Sequence, residues 1–332
     1  MKKVILAELA VLALLVIGIV IACFSLPHQP AFAPDSIEDQ PEQQSSSSTT
    51  GETTVETTTE FVPTWKTYPE SRQLLAQQYF VYDCDAGSFL TISGEQTERI
   101  YPASVTKLFT AHVALQYLQP DTQITAGNAL DMVAWGSSVA KIEMGDVLTV
   151  RQLVEAMLLP SGNDAAYILA VEAGRVMEDS PEMDAVYAVD VFMQEMNKQA
   201  AALGMTGTHF VNPDGIHDDQ HYTTFADLAI LGKLAMENEI VMQYAATPRE
   251  QVTLHGETLE WKNTNALVDP TTPYYCPYAV GLKTGQTPSA GSCLLSAFRY
   301  EGRELIIGVF GCPEEEDRFD DTLQLFNKTV LD

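Results

Sequence analysis

Ser104-Val-Thr-Lys107 runs straight into Leu108-Phe-Thr-Ala-His-Val-Ala-Leu-Gln-Tyr-Leu118, and this stretch decides what can be built around it. Apolar residues at 108, 109, 111, 113, 114, 115, 117 and 118 leave little polar surface, so the segment reads as a helix packed in a core. Ser104 and Lys107 are three residues apart and face the same way, one helical turn from each other. A hydroxyl beside an amine at the head of a buried helix is a nucleophile with a base in reach.

Two further motifs come later in the chain. Ser161-Gly-Asn163 offers a second hydroxyl and an amide; Lys283-Thr284-Gly285 offers a cation, a hydroxyl and a bare backbone. Each is weak alone: Ser-x-x-Lys and Ser-x-Asn each occur by chance about once in a chain of this length, and a lone Lys-Thr-Gly is usually a strand entering a turn. Together they supply a nucleophile, a base and donors for an oxyanion without histidine or metal. Order and context carry the signal, because Lys283 also closes an apolar, strand-like run, Tyr278-Ala-Val-Gly-Leu282.

Outward from the motifs, Gln77–Tyr82 and Ser88–Ile92 read as strands around an Asp85-Ala-Gly87 turn. From Ser104 to roughly Met242 the chain reads as helical, with the clearest helices at Val150–Leu159, Asp164–Val176, Val186–Leu203 and Thr224–Glu237. Strands are expected again at Glu250–Leu254, Tyr278–Lys283, Ser292–Tyr300 and Glu304–Gly311, then a helix at Arg318–Thr329. Strands at both ends with helices between them predict one sheet assembled from distant segments, an α/β (α+β) domain.

Three regions are expected: an anchor or signal segment at 1–26, a linker at 27–68 and a catalytic domain at 69–332. Met-Lys-Lys precedes an apolar run from Val4 to Leu26 interrupted only by Glu8, long enough to span a bilayer with the N-terminus inside. Lipidation at Cys23 in Val20-Ile-Ala-Cys23, or cleavage after Ala31-Phe-Ala33, are alternatives, and all three export the catalytic region. The linker, with Ser45-Ser-Ser-Ser-Thr-Thr50 and Thr57-Thr-Thr59, lacks the apolar content to fold and reads as a solvated tether. Net charge is −27, with −21 from Trp65 onward, so a phosphate backbone would be repelled and nucleic acid is a poor partner. Cys84, Cys276, Cys293 and Cys312 are spaced too widely for the usual zinc patterns and admit either disulfides or buried thiols.

The set Tyr101-Pro-Ala-Ser-Val-Thr-Lys107, Leu158-Leu-Pro-Ser-Gly-Asn-Asp-Ala-Ala166 and Gly281-Leu-Lys-Thr-Gly-Gln-Thr287 resembles the penicillin-binding protein and serine β-lactamase superfamily. With Phe210-Val-Asn-Pro-Asp-Gly215 and Asn263-Thr-Asn-Ala-Leu267, it is most similar to the low-molecular-weight D-alanyl-D-alanine carboxypeptidases, from about Gln78 to Phe326. The resemblance implies a mostly antiparallel sheet flanked by helices, with an inserted helical lobe and the site in the cleft between. It implies Ser104 as nucleophile, Lys107 as base, Ser161 as proton relay, and Asn163 bonded to Lys107 and the substrate amide. Burial and the charge of Lys283 are expected to depress the Lys107 pKa. Lys283 and Thr284 would bind the substrate's terminal carboxylate, with Gly285, Gln286 and Thr287 along the peptide. The N–H groups of Ser104 and Gln286 would hold the oxyanion, and Arg318 would assist with the carboxylate.

No cofactor or metal is implied. His209, His217 and His221, near Asp214, Asp218 and Asp219, read as loop residues that hydrogen-bond, and Ser137, Ser138 and Asp227 as scaffold. The expected activity is trimming of the terminal D-alanine from peptidoglycan stem peptides, with β-lactams as inhibitors, at the outer face of a bacterial cell membrane. Many relatives carry a β-rich C-terminal domain and an amphipathic C-terminal anchor that this sequence lacks, so anchoring is expected of the N-terminal segment. A class A-type β-lactamase is the enzymatic alternative, but its Glu-x-x-Leu-Asn string is missing between Asn163 and Lys283. A surface protein that binds muropeptides or β-lactams without turnover is the other alternative.

Overall fold

The computed structural model of the protein describes residues 65–69 and 72–330. The expected anchor or signal segment at 1–26 and the linker up to residue 64 lie outside the described residues. In chain order the elements are β1 (Gln78–Asp83), β2 (Ser88–Ile92), a 3-10 turn (Ala103–Thr106), α1 (Lys107–Tyr117), β3 (Gln123–Thr125) and β4 (Val147–Thr149). Then come α2 (Val150–Leu158), α3 (Asn163–Met177), α4 (Ala185–Ala202), α5 (Phe225–Glu237) and α6 (Glu239–Ala246). The chain ends through β5 (Arg249–Leu254), β6 (Glu257–Lys262), β7 (Ala279–Thr287), β8 (Gly291–Tyr300), β9 (Arg303–Cys312) and α7 (Asp317–Val330).

Five strands form one sheet in the order β2-β1-β9-β8-β7, every neighbouring pair antiparallel. The first strand thus pairs with the last, as expected for a sheet built from distant segments. Alternation on the central strands explains why they read as unbroken apolar runs. Cys293, Leu295 and Ala297 of β8, and Ile306 and Phe310 of β9, face the core shared with the helical lobe. Leu294 and Phe298, with Leu305, Ile307 and Val309, face a second core closed by Phe319, Leu323 and Phe326 of α7. A sheet covered on both faces needs apolar residues at every position. β7 stays at the edge, with one side open for other partners.

Local chemistry sets the helix ends. The Thr149 hydroxyl and Gln152 side chain form a reciprocal cap at the start of α2, Thr224 caps α5, and Asp184 caps α4.

Several expectations need correction. The region from Ser104 to Met242 is not continuously helical: the β3–β4 hairpin and irregular stretches at 133–146 and 204–224 interrupt it. Strand β6 is additional to the expected strands, because Glu257-Thr-Leu-Glu-Trp-Lys262 buries only Trp261 and so lacks a strand's apolar pattern. Its turn does carry a signal: His255-Gly256 both take positive φ, 41° and 81°, as a two-residue hairpin requires. The linker ends earlier than residue 68. Trp65 packs edge-on against Tyr278 and Phe326 and donates its indole N–H to Asn327, while Lys66 and Tyr68 both bond Asp320 of α7. Among the described residues Cys84, Cys276, Cys293 and Cys312 are free thiols, the last three of them buried.

Candidate active site

Ser104 sits in the 3-10 turn that precedes α1, behind Ala103, whose φ of 47° is left-handed for a residue with a side chain. Ser161, at the head of the second motif, is held likewise at φ 64°. Strained backbone of this kind costs on the order of 1–3 kcal/mol per residue and persists where surrounding structure enforces it.

The turn leads directly to the base. Lys107 Nζ lies 2.8 Å from Ser104 Oγ, within hydrogen-bond distance, and donates to the Asp214 carbonyl at 2.6 Å. Lys107 is fully buried, and that burial depresses its pKa from 10.5 to about 8, while the carboxyls of Asp214 and Asp164 pull the other way. The expected help from Lys283 does not appear at Lys107. Lys283 is itself pushed well down by its own burial, with the charges of Lys107 and Arg318 adding to the effect.

The third motif closes on the same turn. A Cβ added to Gly285 would sit 2.9 Å from the Pro102 carbonyl and 3.0 Å from Ser104 N, so only glycine lets β7 approach the nucleophile this closely. Thr284 and Thr264 hydroxyls are bonded at 2.6 Å, and Lys283 Nζ donates to the Thr284 carbonyl at 3.1 Å and to Thr264 Oγ1 at 3.3 Å. Lys283 and Thr284 are both nearly inaccessible, at 1% and 4% exposure, so a carboxylate reaching them would be stripped of water.

A cavity of about 630 Å³ opens beside Ser104. Asn163 lines it from the second motif and Gln286 and Thr287 from β7, with Trp135, Ser137, Ser138, Ile216 and His217 on other walls. Ser137 and Ser138, expected to be scaffold only, are therefore part of the cleft.

Asn163 differs from expectation. Its amide oxygen is buried and has no partner among the described residues, so the place on Lys107 expected for it is taken by the Asp214 carbonyl. An unpartnered buried acceptor on a residue that lines the cleft costs free energy until a donor, such as a substrate N–H, reaches it. Arg318 also differs. It lies in a neighbouring cavity of about 500 Å³ with Thr264 and Glu315, and its Nη1 donates to the Gly285 carbonyl at 3.4 Å. In this position it braces β7 instead of lining the cleft beside Ser104.

Sequence reasoning missed Asp214 and Thr264. Both fall in stretches that carry the resemblance, yet neither stretch assigns them a role. A backbone carbonyl leaves no side-chain signal, although the Gly215 after it does. Gly215 has φ 82°, and a Cβ there would lie 1.9 Å from the Ala103 carbonyl oxygen.

His221 ties the same loop to the nucleophile turn. Its Nδ1 accepts from the Val211 N–H at 3.1 Å, so Nε2 carries the proton and donates to Thr106 Oγ1 at 2.8 Å. Burial lowers its pKa to about 4, which keeps it neutral. His209 bonds the Gln220 carbonyl and His217 lies 3.4 Å from Asp219, so the three histidines serve separate contacts. Asp227 accepts from Gly207 N and Thr208 Oγ1 as scaffold.

Residues 65–314 match the D-alanyl-D-alanine carboxypeptidase family. The chain belongs to that family. Its activity is that of a serine D-Ala-D-Ala carboxypeptidase, a hydrolase. Among relatives, the D-alanyl-D-alanine carboxypeptidase of Streptomyces sp. (strain K15) is 35% identical over 234 residues, covering 68% of this chain and 77% of that protein. The Bacillus subtilis (strain 168) carboxypeptidase DacF is 28% identical over 250 residues, covering 73% of this chain and 59% of that protein.

Solved structures agree on the fold. The crystal structure of the Streptomyces K15 DD-transpeptidase aligns with a TM-score of 0.70 at 30% identity, covering 78% of this chain and 98% of that one. Penicillin-binding protein D2 from Listeria monocytogenes, in its cefotaxime-bound form, aligns with a TM-score of 0.64 at 27% identity, covering 79% of this chain and 99% of that one. This carboxypeptidase therefore has the DD-peptidase fold expected from its motifs, and its work on peptidoglycan is extracytoplasmic. Among the described residues no helix is long and apolar enough to cross a membrane.

Proposed function

We propose that this carboxypeptidase removes the terminal D-alanine of peptidoglycan stem peptides through an ester on Ser104. The observation that carries this reading is the 2.8 Å contact between Ser104 Oγ and an amine whose pKa burial lowers to about 8. Neutral Lys107 takes the Ser104 proton as Oγ attacks the carbonyl of the penultimate D-alanine. The N–H groups of Ser104 and Gln286 hold the oxyanion, and Ser161 relays the proton to the departing amine. Lys283 and Thr284 grip the carboxylate of the leaving residue, and the free Asn163 oxygen accepts from the substrate amide. Arg318 contributes by holding the Gly285 carbonyl. D-Alanine leaves and water resolves the ester, restoring Ser104 and Lys107.

A β-lactam opened by the same attack would stay attached, which makes β-lactams inhibitors. The N-terminal segment would hold the enzyme at the outer face of the membrane, a reading supported by its length of apolar sequence. Relatives carry both the carboxypeptidase and the transpeptidase name, so water as acceptor is the specific part of this proposal.

D-Alanine release from a diacetyl-lysyl-D-alanyl-D-alanine peptide tests it. The rate is expected to climb as pH rises through about 8, where Lys107 loses its proton. Asp214→Asn removes a carboxyl that raises the Lys107 pKa, so the rising limb should move to lower pH. No D-alanine release, or a rising limb that moves to higher pH in Asp214→Asn, would refute the assignment.

A further inference from the structure

Trp135 stands out at the mouth of the cleft. It is fully exposed, the most exposed large hydrophobic residue described, yet it lines the same cavity as Ser104 and Asn163. Its presentation is built, not accidental. Ser137 N and Ser137 Oγ both bond the Ala134 carbonyl, at 3.2 and 2.7 Å, closing a tight turn across Trp135 and Gly136. Gly136 takes φ 77° in that turn, as its third position allows.

Below the turn the chain is pinned to the second motif. Asn163 N donates to the Ser138 carbonyl at 2.9 Å, Asp164 accepts from Ala140 N and Ile142 N at 3.0 and 3.1 Å, and Trp261 donates to the Ala140 carbonyl at 2.9 Å. A lip anchored on the catalytic motif thus holds a bare indole over the cleft.

The direction of the substrate is set by β7. Lys283 and Thr284 lie toward one end and Gln286, Thr287 and Pro288 beyond the other side of Gly285, about 10 Å farther at a strand's rise of ~3.3 Å per residue. With the carboxylate at Lys283 and the reacting carbonyl at Ser104, the residues before the scissile bond run past Gln286 and Thr287, into the cavity that Trp135 lines. A D-alanine methyl is too small to cover an indole. The residue before the two D-alanines is the first that can. The walls there are Trp135, Ile216, Pro288 and Pro313 among hydroxyl and amide groups and the His217 imidazole, with no lysine, arginine, aspartate or glutamate, so they suit a methylene chain more than a charge.

We propose that Trp135 is a specificity residue that packs on the long aliphatic side chain of the residue preceding the D-alanyl-D-alanine pair. This rests on the carboxypeptidase reading above. The test compares D-alanine release from Nα,Nε-diacetyl-L-lysyl-D-alanyl-D-alanine with release from Nα-acetyl-L-alanyl-D-alanyl-D-alanine, in wild type, Trp135→Ala and Trp135→Phe. The wild type should prefer the lysyl peptide by about tenfold in kcat/KM, chiefly through KM, which corresponds to about 1.4 kcal/mol. Trp135→Ala should bring the ratio to within about twofold of unity, and Trp135→Phe should keep most of it. Because the side chain is fully exposed, its loss does not threaten the fold. Equal losses on both peptides, or no loss on either, would overturn the proposal. A wild type that releases D-alanine from neither peptide would instead refute the carboxypeptidase reading.

Discussion

Lys107→Met is expected to slow acylation of Ser104 by about 10³–10⁴-fold while leaving the protein as stable as before or more so. The two halves of that result separate a base from a structural lysine. Methionine fills a similar volume in the buried site and removes the amine placed to take the Ser104 proton. The stability half comes from burial. A lysine lowered from 10.5 to about 8 disfavours folding by roughly 3 kcal/mol wherever it is charged in both states. That penalty is fully present below about pH 8 and disappears as pH rises past 10.5, so removing the amine relieves it at neutral pH. Lost bonds to Ser104 and the Asp214 carbonyl offset part of the gain. Acylation rates and thermal midpoints measured at pH 7 check both halves. Near-normal acylation would remove Lys107 from the mechanism.

Gly215→Ala carries the second large effect, from a residue that makes no chemical contribution of its own. The added methyl would lie 1.9 Å from the Ala103 carbonyl oxygen and 2.4 Å from its carbon, both backbone atoms. At φ 82° alanine is also strained whatever room it has. Either the 212–217 loop or the nucleophile turn must move, and both are joined through Lys107 to the Asp214 carbonyl. A displacement near 1 Å costs on the order of 10²-fold in rate. Acylation should fall by about that factor, with a stability loss of about 2–3 kcal/mol seen by urea unfolding. Unchanged acylation would show that the loop does not position the catalytic pair.

The fold was legible where burial is two-sided or strictly periodic. Ser292–Tyr300 and Glu304–Gly311 announced themselves because both faces of the sheet are covered. The helices Val150–Leu159 and Val186–Leu203 came within a residue of their observed ends because Thr149 and Asp184 cap them in sequence as in structure. What stayed hidden depends on contacts between distant segments. Trp65 and Tyr68 looked like the end of a polar linker, since two aromatic rings do not outweigh the composition before them. Their partners in α7 and Tyr278 lie more than 200 residues away in sequence.

The three motifs were legible as chemistry for the same reason that short motifs work at all: Ser104 and Lys107 need only one helical turn to meet. Their company was less readable. The Asp214 carbonyl holds Lys107 through backbone alone, and Thr264 reaches Thr284 across nineteen intervening residues. Asn163 and Arg318 carry the expectation of direct roles, but the fold leaves the Asn163 oxygen buried without a partner beside the cleft and turns Arg318 onto the Gly285 carbonyl. Side-chain identity predicted that these residues belong near the site. Which atom each one touches is set by the approach of β7 to the nucleophile turn.

The most direct measurement is a time course of intact mass for the protein mixed with benzylpenicillin, run beside Ser104→Ala. A one-to-one adduct that persists for many minutes, maps to Ser104 and is missing from the variant is the expected result. An adduct of the same size on Ser104→Ala, or none on the wild type, would contradict Ser104 as the nucleophile of this site.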